Sequence, residues 1–244
     1  MHTRLSVNLN KVALLRNQRD VGYPGVEEMA RIAIAAGAHG ITVHPRPDAR
    51  HVRRADVYDL GELVRPYGGA VELNVEGFPS PEFVEMACEV QPAQVTLVPD
   101  APGQRTSDHG WRFADSADLL RTVVADLSRF GIRTSLFVEP DVAAMLVVKE
   151  LGADCVELYT AAYAAAFAAG ECERTLAEYG AAAEAARQCG LSVNAGHDLT
   201  LANLPLLKRG VPMLAEVSVG HAITADALKM GLFEAVRAYL AAIT

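Results

Sequence analysis

Sulfur chemistry has little to draw on in this chain. The four cysteines, Cys88, Cys155, Cys172 and Cys189, form no CxxC pair, and their spacing suits neither a zinc site nor a disulfide framework. They read as reduced thiols in the core or on helix surfaces. No stretch of about 18 uncharged apolar residues occurs, so no membrane span is expected. Met1-His2-Thr3-Arg4 leads into a candidate strand without an apolar signal segment. A cytoplasmic protein with no membrane partner is the expectation. Positive charge is also short: 22 Lys and Arg against 30 Asp and Glu give a net charge of −8. Without a basic footprint, nucleic acid is not an expected partner, although a local arginine pair can still hold a small anion. HExxH is missing, the first strand carries no HxH pair, and each histidine of interest stands alone in sequence. No metal is therefore expected.

What the chain does have is alternation. Hydrophobic residues make up 51% of it, much of that alanine, which favours helices. Short β-branched runs recur at Leu5–Asn8, Gly40–His44, Val71–Val75, Gln94–Val98, Thr134–Val138, Cys155–Leu158, Ser192–Asn194 and Glu216–Val219. Helical patterns lie between them. Leu119, Leu120, Val123, Val124 and Leu127 fall on one helical face. Leu228, Leu232, Val236 and Leu240 recur at every fourth residue and predict one last helix. The alanine-rich stretch Thr160–Gly170 reads as helix, with Tyr163 and Phe167 one turn apart. Gly37, Gly131, Gly152 and Gly190 stand where helices should stop before the next strand. Eight strand–helix units in a chain of 244 residues predict an α/β fold, the (β/α)₈ barrel, as a single domain over residues 1–244. A doubly wound open sheet would normally carry a glycine-rich loop after its first strand. Here that stretch is Asn8-Leu9-Asn10-Lys11, with no glycine.

Such a barrel places its active site at the carboxyl ends of its strands. The polar residues expected there are Asn8, Asn10, Lys11, His44, Arg46, Asn74, Glu76, Asp100, Glu139, Glu157, His197 and His221. The amino ends hold mostly small residues or ordinary surface charge. Three histidines close apolar runs beside glycine or proline: His44-Pro45, Gly196-His197-Asp198 and Gly220-His221. A histidine on a rigid strand end is suited to gaining or losing a proton near neutral pH. Glu76 and Glu157, partly desolvated in a barrel mouth, are candidates for general acid or base. The turns Gly196–Asp198 and Gly220-His221 follow the seventh and eighth strands, where barrels commonly bind phosphate. Arg16, Arg19, Arg46 and His51 follow the first two strands and suit anions. Each residue has a plainer reading too. A strand-end Asn often caps a helix, a glycine can simply permit a turn, and Glu76 can pair with Lys11 or an arginine. A Schiff-base lysine has one candidate, Lys11.

Together these segments resemble the pyridoxine 5′-phosphate synthase family. The resemblance runs through nearly the whole chain. It is most specific in Val7-Asn8, Leu15-Arg16-Asn17-Gln18-Arg19, Gly37 to His44, Arg50-His51, Leu97-Val98-Pro99-Asp100, Val193 to His197 and Val219 to Ile223. It implies a (β/α)₈ barrel with extra helices, assembled as a homo-octamer. It implies condensation of 1-deoxy-D-xylulose 5-phosphate with 3-amino-2-oxopropyl phosphate to pyridoxine 5′-phosphate, phosphate and water, with no metal and no cofactor. His44 and Glu76 match the family's bases, His197 its proton donor, and Glu157 a glutamate that assists the transition state. Binding positions match Asn8, Arg19, Arg46, His51, Thr106, Gly220 and His221. The polar loop Pro99–Gly110 is long enough to serve as a lid.

There are departures from the family pattern. Asn10-Lys11 stands where many members carry Asp-His, a pair that contacts the xylulose substrate, and this looks like a branch of the family. Asp198 replaces a glycine at a binding position. Tyr159 and Ala161 replace the commoner His and Gly. Two other readings stay open on the residues alone: another phosphosugar barrel, such as an aldolase or epimerase, and a silent barrel that only holds a phosphate.

Overall fold

Along each strand the residues alternate, and the two sets serve different purposes. Leu5, Val7, Ile41, Val43, Leu73, Val75, Val95, Leu97, Leu136, Val138, Val156, Leu158, Val193, Val217 and Val219 are all buried against the helices and form one core with them. Each such side chain withdrawn from water contributes roughly 1.5–3 kcal/mol. The intervening residues, mostly polar with Phe137 on β5 an exception, point into the barrel lumen. This arrangement comes from a computed structural model, which describes residues 2–101, 103–104 and 106–244.

The strands are β1 (Arg4–Asn8), β2 (Gly40–Val43), β3 (Glu72–Gly77), β4 (Gln94–Leu97), β5 (Arg133–Val138), β6 (Cys155–Tyr159), β7 (Ser192–Gly196) and β8 (Leu214–Val219). All are parallel, each pairs with the next, and β1 closes on β8. The fold is therefore the expected (β/α)₈ barrel, and every expected strand is present within two residues at either end. The helices are α1 (Asn10–Arg16), α2 (Val26–Ala35), α3 (Arg54–Val64), α4 (Pro81–Val90), α5 (Phe113–Arg129), α6 (Val142–Glu150), α7 (Ala161–Ala169), α8 (Glu173–Gln188), α9 (Leu204–Gly210), α10 (His221–Met230) and α11 (Leu232–Ala242). Eleven helices among the described residues exceed the eight a minimal barrel needs.

Gly37, Gly131, Gly152 and Gly190 all have positive φ, as helix-stop glycines should. On α5, Leu120, Val123, Val124 and Leu127 face the core, while Leu119 lies at the edge of that face and is exposed. The last helix is not one helix. Gly231, at φ +83°, breaks it between α10 and α11, and Leu228 points into solvent at 80% exposure. A four-residue repeat drifts round a helix of 3.6 residues per turn, so it continued across a real break.

The lumen is crossed by a polar layer. Ser6 Oγ lies 2.6 Å from Thr42 Oγ1, Asn74 Nδ2 donates to Thr42 Oγ1 at 3.4 Å, and Thr96 Oγ1 donates to Asn74 Oδ1 at 3.0 Å. The amino ends are more than ordinary surface. Glu72 binds Arg4 at 2.9 Å and Arg133 at 2.6 Å, and Arg133 Nε donates to Gln94 Oε1 at 3.0 Å. Glu216 is buried there as well, and burial pushes its carboxyl up to about 7.

Candidate active site

The carboxyl ends of the strands enclose a cavity of about 680 Å³. Of the residues expected at the site, Asn8, Asn10, Lys11, His44, Arg46, His51, Glu76, Thr106, Glu157, His197, Asp198, Gly220 and His221 line it. Arg19 does not: it is exposed in the turn after α1. Arg16 faces inward but is already engaged. Its guanidinium forks onto Asp56 and donates to His51 O at 3.1 Å, so it braces the loop after β2. Asn17 Nδ2 donates to the same carbonyl at 2.7 Å.

On one wall, His44 Nδ1 lies 3.8 Å from Glu76 Oε2. Asn10 Oδ1 accepts the His44 backbone N–H at 2.8 Å and so fixes the chain that carries the ring. Burial, with Arg46, His51 and Arg50 nearby, holds the His44 imidazole well below its usual range, so it is neutral at pH 7. Burial, then the negative charge of Asp100, pushes Glu76 up to about 7. Among the described residues, Glu76 pairs with neither Lys11 nor an arginine. Asn8 Nδ2 reaches it at 3.4 Å. Deeper in the lumen, Glu157 is buried beside Glu76 and Glu216, which raises its carboxyl well above the usual carboxylate range. Its Oε2 lies 3.5 Å from Thr96 Oγ1.

The opposite wall carries His197 on a strained turn. His197 has φ +86° and Asp198 φ +55°, both left-handed and neither glycine. Such backbone costs on the order of 1–3 kcal/mol per residue and persists only where its surroundings enforce it. Thr160 Oγ1 faces the carbonyls of Gly196 (2.8 Å) and His197, and Asn203 Nδ2 donates to Asp198 O at 3.0 Å. The His197 ring meets the Tyr159 ring edge-on at 4.9 Å, and its Nε2 lies 3.1 Å from Thr106 Oγ1. Asp198 Oδ2 is 3.1 Å from His197 Nδ1, yet that nitrogen makes no hydrogen bond among the described residues. The carboxylate is a charge neighbour rather than an aligned acceptor.

Neither Gly196 nor Gly220 is itself left-handed. Gly196 is needed for room: a Cβ there would sit 2.3 Å from Glu157 Oε1. At Gly220 a Cβ would meet the Asn8 side chain at 3.1 Å. Gly220 opens α10 with no side-chain cap, and Gly220, His221 and Ala222 at that helix N-terminus line the cavity, a place that favours an anion. Lys11, Arg46 and Arg50 gather positive charge on the other side around His51. Burial and those cations lower His51 to about 4. Its Nδ1 accepts the Val52 N–H at 2.9 Å, which leaves the ring proton on Nε2. Two electropositive places thus flank His44 and Glu76. The loop Pro99–Gly110 contributes Thr106 and Ser107 to the cavity wall; Pro102 and Arg105 within it lie outside the described residues. Among the described residues, no group of three His, Cys, Asp or Glu side chains is gathered as a metal site, and no helix is long and apolar enough to cross a membrane.

Fold and site define a (β/α)₈ barrel in which histidines, carboxyls and cations converge at the strand ends, a set of groups suited to acid–base chemistry. The chain belongs to the pyridoxal phosphate biosynthesis protein PdxJ family, whose profile it matches over residues 5–244. A pyridoxine 5′-phosphate synthase of Chelativorans sp. (strain BNC1) is 52% identical over 99% of both chains. One from Rhizobium meliloti (strain 1021) is 51% identical, over 98% of this chain and 97% of its own. Among solved structures, tryptophan synthase of Mycobacterium tuberculosis matches with a TM-score of 0.67 at 15% identity, over 99% of this chain and 93% of that one. A likeness at that identity shows the barrel fold alone.

Proposed function

We propose that this protein condenses 1-deoxy-D-xylulose 5-phosphate with 3-amino-2-oxopropyl phosphate to form pyridoxine 5′-phosphate, phosphate and water, without a metal or cofactor. The observation that carries this reading is the placing of His44, Glu76 and His197 around one cavity between two regions suited to anions. The amine of one substrate attacks the ketone of the other and water leaves. Proton removal from carbon then falls to Glu76 and His44, both in their basic forms near or above neutral pH. His197 delivers the proton that lets phosphate or hydroxide depart. Protonated Glu157 donates a hydrogen bond to charge that develops on the reacting oxygen. Holding both substrates in one cavity makes the condensation effectively intramolecular.

The phosphates go to the two electropositive regions, one at the α10 N-terminus and one at Lys11, Arg46 and His51. In this branch of the family Asn10 aligns His44 through its backbone N–H, and Lys11 supplies the cation beside the xylulose substrate. Residues 1–244 act as one barrel domain, eight copies assemble, and the protein works in the cytoplasm. The test is an assay of purified protein in chelator with both substrates, following product fluorescence. Product formation is expected. Folded protein that makes none from verified substrates would overturn the reading, and product lost only in chelator would overturn its metal-free form.

A further inference from the structure

Arg46 and Asp100 form an ion pair that the chemistry above leaves unexplained. Arg46 follows β2 and Asp100 follows β4, 54 residues apart in sequence, and Arg46 Nη2 donates to Asp100 Oδ2 at 2.5 Å. Both side chains are almost fully buried, at 5% and 3% exposure. Taking two charges out of water costs several kcal/mol, which their attraction often fails to recover, so a buried pair is poor evidence of stabilisation. The pair is also incompletely satisfied: among the described residues, Arg46 Nε and Asp100 Oδ1 have no hydrogen-bond partner. Unpaired buried polar atoms of this kind call for a reason other than stability.

The surroundings supply one. Arg46 lines the cavity and Asp100 does not. Asp100 stands behind the arginine and spends its Oδ2 twice, on Arg46 and on the hydroxyl of Ser107, which donates at 2.8 Å. Ser107 and its neighbour Thr106 belong to the β4–α5 loop and line the cavity themselves. A single carboxylate oxygen therefore joins an anion-holding arginine to the loop that walls the site.

We propose that Asp100 is a positioning residue: it fixes the Arg46 guanidinium against the substrate cavity and, through Ser107, makes the position of that guanidinium depend on the β4–α5 loop. The proposal rests on the function proposed above, with Arg46 holding the phosphosugar. Asp100 does not touch the substrate. It sets where the charge that does touch it is held, and it limits how much positive charge faces Glu76. That carboxyl is met by Asn8 from β1, His44 and Arg46 from the end of β2, Asp100 from the end of β4, Glu157 from β6 and Glu216 from β8. Asp100 is one of the negative charges that keep the proton on Glu76.

Two variants separate the parts. Asp100→Asn keeps the shape and removes the charge. A hydrogen bond to a charged group contributes roughly 1.5–3 kcal/mol, so the KM for 1-deoxy-D-xylulose 5-phosphate should rise at least tenfold. The KM for 3-amino-2-oxopropyl phosphate should stay within twofold, and the acid limb of the kcat profile should move to lower pH. Ser107→Ala leaves every charge in place. It should raise the same KM severalfold and leave the acid limb where it was, and Ser107→Thr should restore it. A merely structural role would lower thermal stability and kcat in both variants with KM and the pH limb unmoved, and would overturn the proposal. If the unmodified protein makes no product, the functional reading fails on its own. Calorimetric titration with inorganic phosphate then tests Asp100 directly. Weaker binding in both variants supports the positioning role, and equal binding overturns it.

Discussion

His44 Nδ1 and Glu76 Oε2 face each other at 3.8 Å, a neutral imidazole beside a carboxyl that gives up its proton at about 7. The two differ in kind. His44 is held below its usual range and stays neutral throughout the working pH range, whereas Glu76 is a base only once it has ionised. Turnover should therefore rise with pH through about 7, following Glu76. Glu76→Gln should lower kcat by about 10²–10⁴ and flatten that limb. A glutamine variant that kept the limb would remove Glu76 from the base role.

Glu216 gives a second pH signature, in stability. Its folded value of about 7 lies above the ordinary 4.5. The folded state thus holds the proton more tightly, and the stability this confers is complete below 4.5 and lost as pH rises through 7. Glu216→Gln removes the ionisation. It should gain about 3 kcal/mol over the parent at pH 8 and little at pH 4.5. Urea unfolding at the two pH values, with an unchanged m value, is the check. An equal effect at both would mean that Arg4 and Arg133 already neutralise the group.

The turn at His197 makes activity and stability pull apart. Glycine adopts φ +86° without strain, so His197→Gly should raise the unfolding free energy by about 1 kcal/mol, even after glycine's greater freedom in the unfolded chain. Turnover should be lost, because no proton donor remains. A less stable variant would show that the side-chain contacts with Tyr159 and Thr106 outweigh the backbone strain.

Gly196→Ala tests the fit between two strands. The new Cβ would fall 2.3 Å from Glu157 Oε1, so the carboxyl has to leave its place. A loss of about 1–3 kcal/mol is expected, together with a fall in kcat. Adding Glu157→Ala should recover much of the stability and none of the rate. A double variant as unstable as Gly196→Ala alone would place the clash elsewhere.

Much of this architecture is legible in the sequence, and the parts that are not share a cause. Strand runs such as Gly40–His44 announce themselves through local residue preference, and strand ends follow from the runs. His44, Glu76, His197 and Glu157 could be brought to one mouth on that basis. Arg16 could not be judged: its partner Asp56 lies 40 residues away, and only the folded chain brings them together. The same distance problem hid Asp100 behind Arg46, and Thr160 and Asn203 beneath the His197 turn. Gly196 pointed to that turn, but the strain belongs to the two residues after it, and the glycine serves Glu157. At the barrel's other end, Glu72, Arg133 and Glu216 each looked like an ordinary charge at the start of a strand.

The two-sided strands carry a consequence for how such a protein can change. The wall stands because its outer aliphatic residues are gripped by the helices. The inner residues are free to differ, provided they remain polar and similar in size. Exchanges among Ser6, Thr42, Asn74, Thr96 and Ser218 would retune proton affinity in the lumen while leaving the grip untouched. Folding and chemistry are written on opposite faces of the same eight strands, so selection can revise one text without erasing the other.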